Sequence, residues 1–354
     1  MAVYKIFGPP GTGKTTCLLG HMEKALEEGT PVTSIGFFSF TNKAADEAKE
    51  RAMAKFPWLD SEGFCYFRTL HSLALQRIGG FRANPCMTHK DWVEFGRLLG
   101  ITFSFTSMKW DDDMAWAGAT DGDKMRSLCD LARLKRQPLK KVWQNSELDT
   151  INFFEVERFE KWSRQYKKDH QLIDFCDMLE RACLVPEKLP SFDLLFIDEA
   201  QDLSTLQWDF AKLLIQKAKN TYVAGDDDQA IFCWAGADVQ SFISLDGENR
   251  VLNKSYRVPR SVHALADKLR KPIKESVEKV WQAREEEGLV KYHYELDPYK
   301  IGLDNGDWLI LTRNNYQLEP IVNICMEEGF SFWTKGSFLK PTSLKAIVAW
   351  EDVL

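Results

Sequence analysis

No apolar run in these 354 residues approaches the ~20 positions that a bilayer-spanning helix needs, so nothing in the chain reads as a membrane span. A basic leader and cleavage site are also missing: residues 3–7 read directly as a strand. The expectation is an intracellular, cytoplasmic protein without membrane contact. The eight cysteines include no pair at the two-residue spacing of a zinc or redox site, and Cys17 and Cys176, set among apolar neighbours, read as core fillers. The six histidines form no ligand pattern. Bulk positive charge is lacking as well. The net charge of −6 argues against coating nucleic acid by charge alone but leaves room for a local basic groove. Neither an internal repeat nor a low-complexity tract interrupts the chain. With 44% hydrophobic and 28% charged residues, the composition is that of a folded globular protein.

The length exceeds what one hydrophobic core usually covers and predicts two or three domains. From residue 3 to about 78 the pattern reads strand, glycine loop, helix, strand (34–40), helix (43–55). From about 172 to 247 it reads helix (175–183), strand (194–197), helix (205–218), strand (221–224). Short, fully apolar strands alternating with amphipathic helices indicate a parallel sheet covered on both faces. Residues 79–171 break this rhythm and read as a mainly helical inserted subdomain. There Arg133, Lys135, Arg136, Lys140, Lys141 and residues 161–168 interleave with Trp143, Trp162 and Tyr166. That mixture suits a phosphate backbone with stacked bases; a solvated helix face over an aromatic core is an equal alternative. Residues 248–354 open a second α/β pattern, with a helix at 259–278, a strand at 308–312, a helix at 318–328 and a strand at 330–334. The predicted class is α/β: a parallel sheet with helices on both faces formed by 1–78 and 172–247, the insertion at 79–171, and a partial second α/β core at 248–354.

Gly8-Pro9-Pro10-Gly11-Thr12-Gly13-Lys14-Thr15 matches the P-loop pattern and sits between a strand and a helix, as its mechanism requires. The glycines let backbone N–H groups and a helix N-terminus face an anionic phosphate chain. Lys14 is placed to neutralise phosphate charge, and Thr15 to ligate Mg²⁺. The apolar run 194–197 delivers Asp198 and Glu199 at its carboxyl end. Asp198 suits the metal shell and Glu199 suits activation of a water; a helix-capping acidic pair is the alternative. A third strand end, Val223-Ala224-Gly225-Asp226-Asp227-Asp228-Gln229, offers the Gln229 amide as an uncharged reporter of a γ-phosphate.

Further motifs then resemble the UvrD/Rep-type DNA helicases of superfamily I. Phe40-Thr41-Asn42-Lys43-Ala44-Ala45 and Thr69-Leu70-His71-Ser72 are similar to the family's DNA-proximal motifs, and Asp198-Glu199-Ala200-Gln201-Asp202 to its acidic box. The run from Gly225 to Trp234 resembles the element coupling γ-phosphate to DNA, and Leu252-Asn253-Lys254-Ser255-Tyr256-Arg257 the first motif of the second core. Residues 309–314 and 329–338 resemble the strand and turn that follow it. The resemblance covers about residues 3–78 and 172–350, in family order.

The resemblance implies an RecA-like fold, ATP with Mg²⁺, and single-stranded DNA and duplex junctions as partners. It implies ATP contacts from Gly8 through Thr16, with Pro9, Pro10, Gly11, Thr12, Gly13, Lys14 and Thr15 between them. It adds γ-phosphate or water contacts from Gln201 and Gln229, adenine stacking by Tyr256, and Arg257 reaching the γ-phosphate. It assigns DNA contacts to Phe40, Thr41, Asn42, His71, Phe232 and Trp234. For the aromatics among these, ordinary core packing is the alternative. The chain departs from the family in three ways. No glutamine precedes the P-loop, Ala235 stands where the family commonly has arginine, and the later motifs, including a second arginine, do not occur before Leu354. Two readings follow: an ATP-driven DNA translocase or helicase, or an ATP- and DNA-binding module completed by a C-terminal segment or a partner protein. A P-loop switch or small-molecule kinase that ignores DNA is disfavoured by Gln229, Trp234 and the Tyr256-Arg257 pair.

Overall fold

The computed structural model describes residues 2–40, 42–104, 120–146, 148, 150–312, 315–334 and 337–339. The chain divides into two compact units, Met1–Gly288 and Leu289–Leu354. In the first, strand and helix alternate: β1 (Ala2–Phe7), α1 (Lys14–Glu27), β2 (Ile35–Ser39), α2 (Asn42–Lys55), β3 (Phe67–Thr69) and α3 (Leu70–Arg77). A helical stretch follows, with α4 (Gly80–Ala83), α5 (His89–Leu99), α6 (Asp121–Leu134), α7 (Leu139–Gln144), α8 (Phe153–Asp169) and α9 (Phe175–Cys183). The alternation then resumes with β4 (Phe192–Ile197), α10 (Thr205–Gln216), β5 (Ala218–Gly225), α11 (Val239–Ile243), β6 (Glu248–Val251) and α12 (Arg260–Arg270). The six strands form one sheet in the order β3-β2-β4-β5-β1-β6, and every neighbouring pair is parallel.

Period-two alternation along the central strands divides the core. Phe7, Phe38, Leu195, Ile197 and Val223 pack on one face with α3, α9 and α10, around the fully buried Trp208 and Phe210. Ile6, Phe37, Leu194, Phe196 and Ala224 pack on the other face with α1 and α2, around Leu18, Met22, Ala52 and Phe56. Successive strand side chains point to opposite faces, so a continuous apolar run is what a sheet covered on both sides requires. Parallel strands also send all their carboxyl ends to one edge, which is where the candidate motifs gather.

The boundaries differ from the sequence expectation in informative places. Residues 248–251, assigned to the second unit by pattern, form the edge strand β6 beside β1. Both β3 and β6 escape notice because Phe-Arg-Thr and Glu-Asn-Arg-Val carry no apolar run. Among the described residues the expected strand at 308–312 forms no ladder, and Leu309 and Leu311 are exposed. The helix expected at 259–278 stops at Arg270. In the second unit, α13 (Pro298–Ile301) and α14 (Glu319–Glu327) accompany a hairpin of β7 (Phe332–Thr334) and β8 (Ser337–Leu339).

The insertion has its own core, in which Trp92, Phe95, Leu128, Val156, Phe159 and Tyr166 pack together. Its basic and aromatic residues divide between interior and surface. Tyr166 and Lys167 are buried, while Trp162, Lys140, Lys141, Lys161 and Lys168 face solvent. An ion-pair network ties this core to α9. Arg133 reaches Asp174 at 2.7 Å, Glu180 at 2.7 Å, and Asp177, while Lys167 reaches Asp177 at 2.7 Å, and Asp174. Burial acts to raise the Asp174 carboxyl, but Lys167 and Arg133 outweigh it and hold that group well below the usual carboxylate range. Its stabilisation is therefore present above the unfolded value of about 3.9 and is lost as pH falls through the depressed folded value. Arg133→Met leaves Asp174 and Asp177 against Lys167 alone and Glu180 with only Arg136 at 3.6 Å, and is expected to cost about 3–5 kcal/mol. A urea titration at neutral pH reads this directly, and an unchanged midpoint would remove the network from the stability account.

Candidate active site and nucleic-acid interface

Strands β1 and β5 end side by side, with Phe7 in register with Gly225, and the Gly8 N–H donates to the Gly225 carbonyl at 3.0 Å. The phosphate loop starts from this clamp. Gly11 and Gly13 adopt φ of 71° and 82°, the left-handed region that glycine enters without steric cost. Gly13 caps α1 without any side-chain hydrogen bond, so the first-turn N–H groups of that helix remain directed at the loop. The Thr12 hydroxyl donates to the Pro9 carbonyl at 2.8 Å, and the Lys14 ammonium folds over the loop to donate to the Gly8 carbonyl at 2.9 Å. Thr16, by contrast, is exposed on the first turn of α1.

The acidic pair lies on the neighbouring strand end. The Asp198 N–H donates to the Phe38 carbonyl at 2.9 Å, which fixes this residue across the β2–β4 ladder. Its carboxylate accepts the Thr15 hydroxyl at 3.0 Å. A hydroxyl and a buried carboxylate in contact, beside a loop built for phosphate oxygens, are the hard donors that suit a divalent cation. Among the described residues no group of three or more His, Cys, Asp or Glu side chains could hold a metal, so phosphate or water oxygens would have to complete any such shell. Glu199 takes φ of 51°, which is uncommon for a non-glycine residue and turns its side chain away from the β4 direction.

Gln201 lies between the ends of β4 and β5. It is buried, and its amide is fully engaged: the Nε2 donates to Glu199 at 2.9 Å and to Asp202 at 3.3 Å, while the Oε1 accepts the Asp226 N–H at 3.0 Å. Gln201 thus joins the β4 end to the β5 end rather than pointing into open space. The Gln229 N–H donates to the Asp226 carbonyl at 2.9 Å and its amide donates to the Asp226 carboxylate, closing a tight turn. Burial, and then the neighbouring Glu199 charge, pushes Asp198 up to about 6 and Asp202 up to about 7. Burial also raises Asp226.

Tyr256 and Arg257 meet the phosphate loop within the first unit. The Tyr256 N–H donates to the Gly11 carbonyl at 2.9 Å, and the Ser255 hydroxyl donates to the Pro10 carbonyl at 2.7 Å. The Tyr256 ring and the Arg257 side chain remain exposed. Ser255 was not foreseen as a site residue; its position inside the quoted motif was the available signal. On the other side, Phe40 and Phe232 stack with ring centroids 5.9 Å apart, Phe40 being partly buried against the core. Core packing of Phe40 is thus observed in part. Trp234 is 36% exposed, and Asn42 is exposed at the start of α2. His71 lies half-buried with its ring edge-on to Phe175, and burial lowers its pKa to about 4, so it is neutral at physiological pH. Thr41 lies outside the described residues.

A Cβ added at Gly11 would stand 2.2 Å from the Arg257 Cβ, in a backbone region that alanine avoids. Gly11→Ala should therefore displace the 255–257 segment and weaken binding of a fluorescent ATP analogue by about tenfold or more. Unchanged affinity would show that this packing does not shape the pocket.

The fold and site geometry agree with comparisons to known proteins. A family model described as "UvrD/REP helicase N-terminal domain" matches residues 2–249. The chain is 25% identical to the ATP-dependent DNA helicase Rep of Buchnera aphidicola, across 98% of the chain and 55% of that protein. It is 26% identical to the ATP-dependent DNA helicase PcrA of Staphylococcus aureus, across 81% of the chain and 40% of the relative. It is 23% identical to a probable DNA helicase of Mycoplasma pneumoniae, across 92% of the chain and 67% of that protein. The chain thus spans about half the length of the first two relatives. With a phosphate loop, an acidic strand end and a glutamine turn meeting at one edge of a parallel sheet, and a matching family model over well over half its length, the chain belongs to the UvrD/REP helicase N-terminal domain family.

Proposed function

We propose that this chain hydrolyses ATP to move along single-stranded DNA and to separate duplex at junctions. The observation that carries the reading is the Gln201 amide, which connects Glu199 on one strand end to the Asp226–Gln229 turn on the next, beside the phosphate loop. A residue that would orient a water and a turn that precedes Phe232 and Trp234 are thereby part of one hydrogen-bonded unit.

Lys14 exchanges its Gly8 carbonyl contact for phosphate oxygens when nucleotide enters, because an anionic acceptor is the stronger partner for an ammonium. Thr15 and Asp198 would hold Mg²⁺, which when bound supplies charge neutralisation across the β- and γ-phosphates. Glu199, held by the Gln201 Nε2, orients the attacking water and receives its proton. Arg257 approaches the γ-phosphate from the segment anchored on Gly11, and Tyr256 offers its exposed ring to the adenine. Gln229 contacts the γ-phosphate, while Gln201 acts by positioning Glu199. Phe40, Phe232 and Trp234 stack on bases, and Thr41, Asn42 and neutral His71 line the backbone path. Stacking tolerates any base and backbone contacts carry no sequence information, the combination that movement along arbitrary DNA needs.

A second reading is an ATP- and DNA-binding module whose turnover depends on a completing segment or a partner protein. Phosphate release by the full chain, with and without an oligo(dT) strand, separates the two. The translocase reading predicts acceleration by DNA; binding of both ligands without turnover supports the module. Binding of neither sinks both.

Two variants test the assigned roles. Glu199→Gln should lower turnover by about 10²-fold or more while leaving ATP affinity within a few-fold, since general-base catalysis contributes on that scale. Retained turnover would remove Glu199 from its role. For the metal, protons compete for the same carboxylate. With Asp198 raised to about 6, Mg²⁺ affinity measured with a bound ATP analogue should be level above that pH. Below it, the affinity should fall by about tenfold per unit. Asp198→Asn should flatten that additional slope, and an identical slope in the variant would exclude Asp198 as the ligand.

A further inference from the structure

The Asp226-Asp227-Asp228 turn holds three carboxylates next to one another, with Asp226 and Asp227 buried. Such a turn cannot persist by itself, because like charges removed from water repel without screening. The counter-charge comes from fifty residues further along. Lys279 has a side chain with no exposure at all, and its ammonium contacts Asp227 directly, Asp228 at 2.9 Å and Asp226 at 3.6 Å. The same irregular segment adds the Ser276 hydroxyl to Asp228 at 2.6 Å and the Val277 N–H to Asp227 at 2.6 Å. Arg270, at the end of α12, stands 3.9 Å from Asp228.

Beyond Lys279 the segment turns to the nucleotide side. The Gln282 N–H donates to the Asn253 carbonyl at 2.7 Å, and the Ser255 N–H donates to the Gln282 carbonyl at 2.8 Å. Ser255 in turn donates its hydroxyl to Pro10 of the phosphate loop. Residues 276–282 therefore bridge the Gln229 turn and the Tyr256-Arg257 segment, and the buried ammonium is their strongest hold on the turn. Lys279 touches neither the phosphate loop nor the aromatic stack.

We propose that Lys279 is a positioning residue that locks the Asp226–Gln229 turn to the Tyr256-Arg257 segment, so that nucleotide held by that segment changes the DNA affinity of Phe232 and Trp234. The inference rests on the translocase reading of the site. A neutral side chain of similar length cannot hold three carboxylates, so Lys279→Met frees the turn while leaving the groups proposed to touch ATP and DNA unaltered.

The test uses the full chain, fluorescent oligo(dT), and Mg²⁺ with a nonhydrolysable ATP analogue. In the wild type the analogue should change the oligo(dT) dissociation constant by about fivefold or more, the usual scale of coupling between sites. In Lys279→Met the affinities for oligo(dT) alone and analogue alone should stay within about threefold, and the coupling should fall towards one. A general loss of structure would lower both separate affinities instead. Should that variant not fold, Asp227→Asn combined with Lys279→Met removes one carboxylate together with the ammonium, leaves the net charge of the cluster unchanged, and is expected to fold without coupling. Undiminished coupling in a folded variant overturns the role of Lys279 alone. A wild type that binds both ligands with no coupling overturns the translocase reading, and this inference with it.

Discussion

One side-chain amide holds the site together. Gln201 donates to Glu199 and accepts from the backbone of Asp226, so the ends of β4 and β5 cannot shift independently without breaking a buried hydrogen bond. An unpaired buried amide is costly, by about 1–3 kcal/mol for each lost partner, so the bridge makes the acidic strand end and the glutamine turn move as a unit. The parallel sheet makes the bridge available by delivering both carboxyl ends to one edge. The two faces of buried phenylalanine and leucine hold those ends in register.

Electrostatics sharpen this arrangement. Asp198, Glu199, Asp202 and Asp226 crowd one partly desolvated region, and the upward shifts of Asp198 and Asp202 express the strain of ionising there. Lys14 faces that region from the loop, and Lys279 places one positive charge among the three carboxylates of the adjoining turn. A site so rich in carboxylate is poised to accept positive charge. That is what a divalent cation brings, and it is why the proposed metal pair consists of a hydroxyl and a raised carboxylate rather than an exposed acid. His71 follows a different logic: burial lowers its pKa to about 4 and holds the ring neutral at physiological pH.

Much of this was legible in the sequence because the governing signals are local. The phosphate loop, Asp198-Glu199 and the turn ending at Gln229 each follow an apolar run whose length and composition mark a buried strand. Their shared edge then follows from parallel topology. Edge strands were not legible: Phe67–Thr69 and Glu248–Val251 become strands by pairing, not by pattern. The converse error occurs at 308–312, where a strand-like pattern gives no strand among the described residues. Gln201 was recognised, but its buried bridging place depends on an acceptor and a donor 2 and 25 residues away, which no spacing rule encodes. Lys279 was invisible for the same reason, since it pairs across 52 residues and lies in a segment whose pattern suggested a helix end. Within the insertion, charge and aromatic content could not reveal that Lys167 and Tyr166 are interior while Trp162 and Lys168 are not.

The central claim is that the acidic strand end proposed for hydrolysis and the turn proposed to face DNA are one mechanical unit joined through Gln201. The direct measurement is the ratio of phosphate release with oligo(dT) to release without it, compared between the full wild-type chain and Gln201→Met. The account predicts a ratio well above one for the wild type that collapses towards one in the variant, whatever the variant's absolute rate. A ratio preserved in the variant would contradict it.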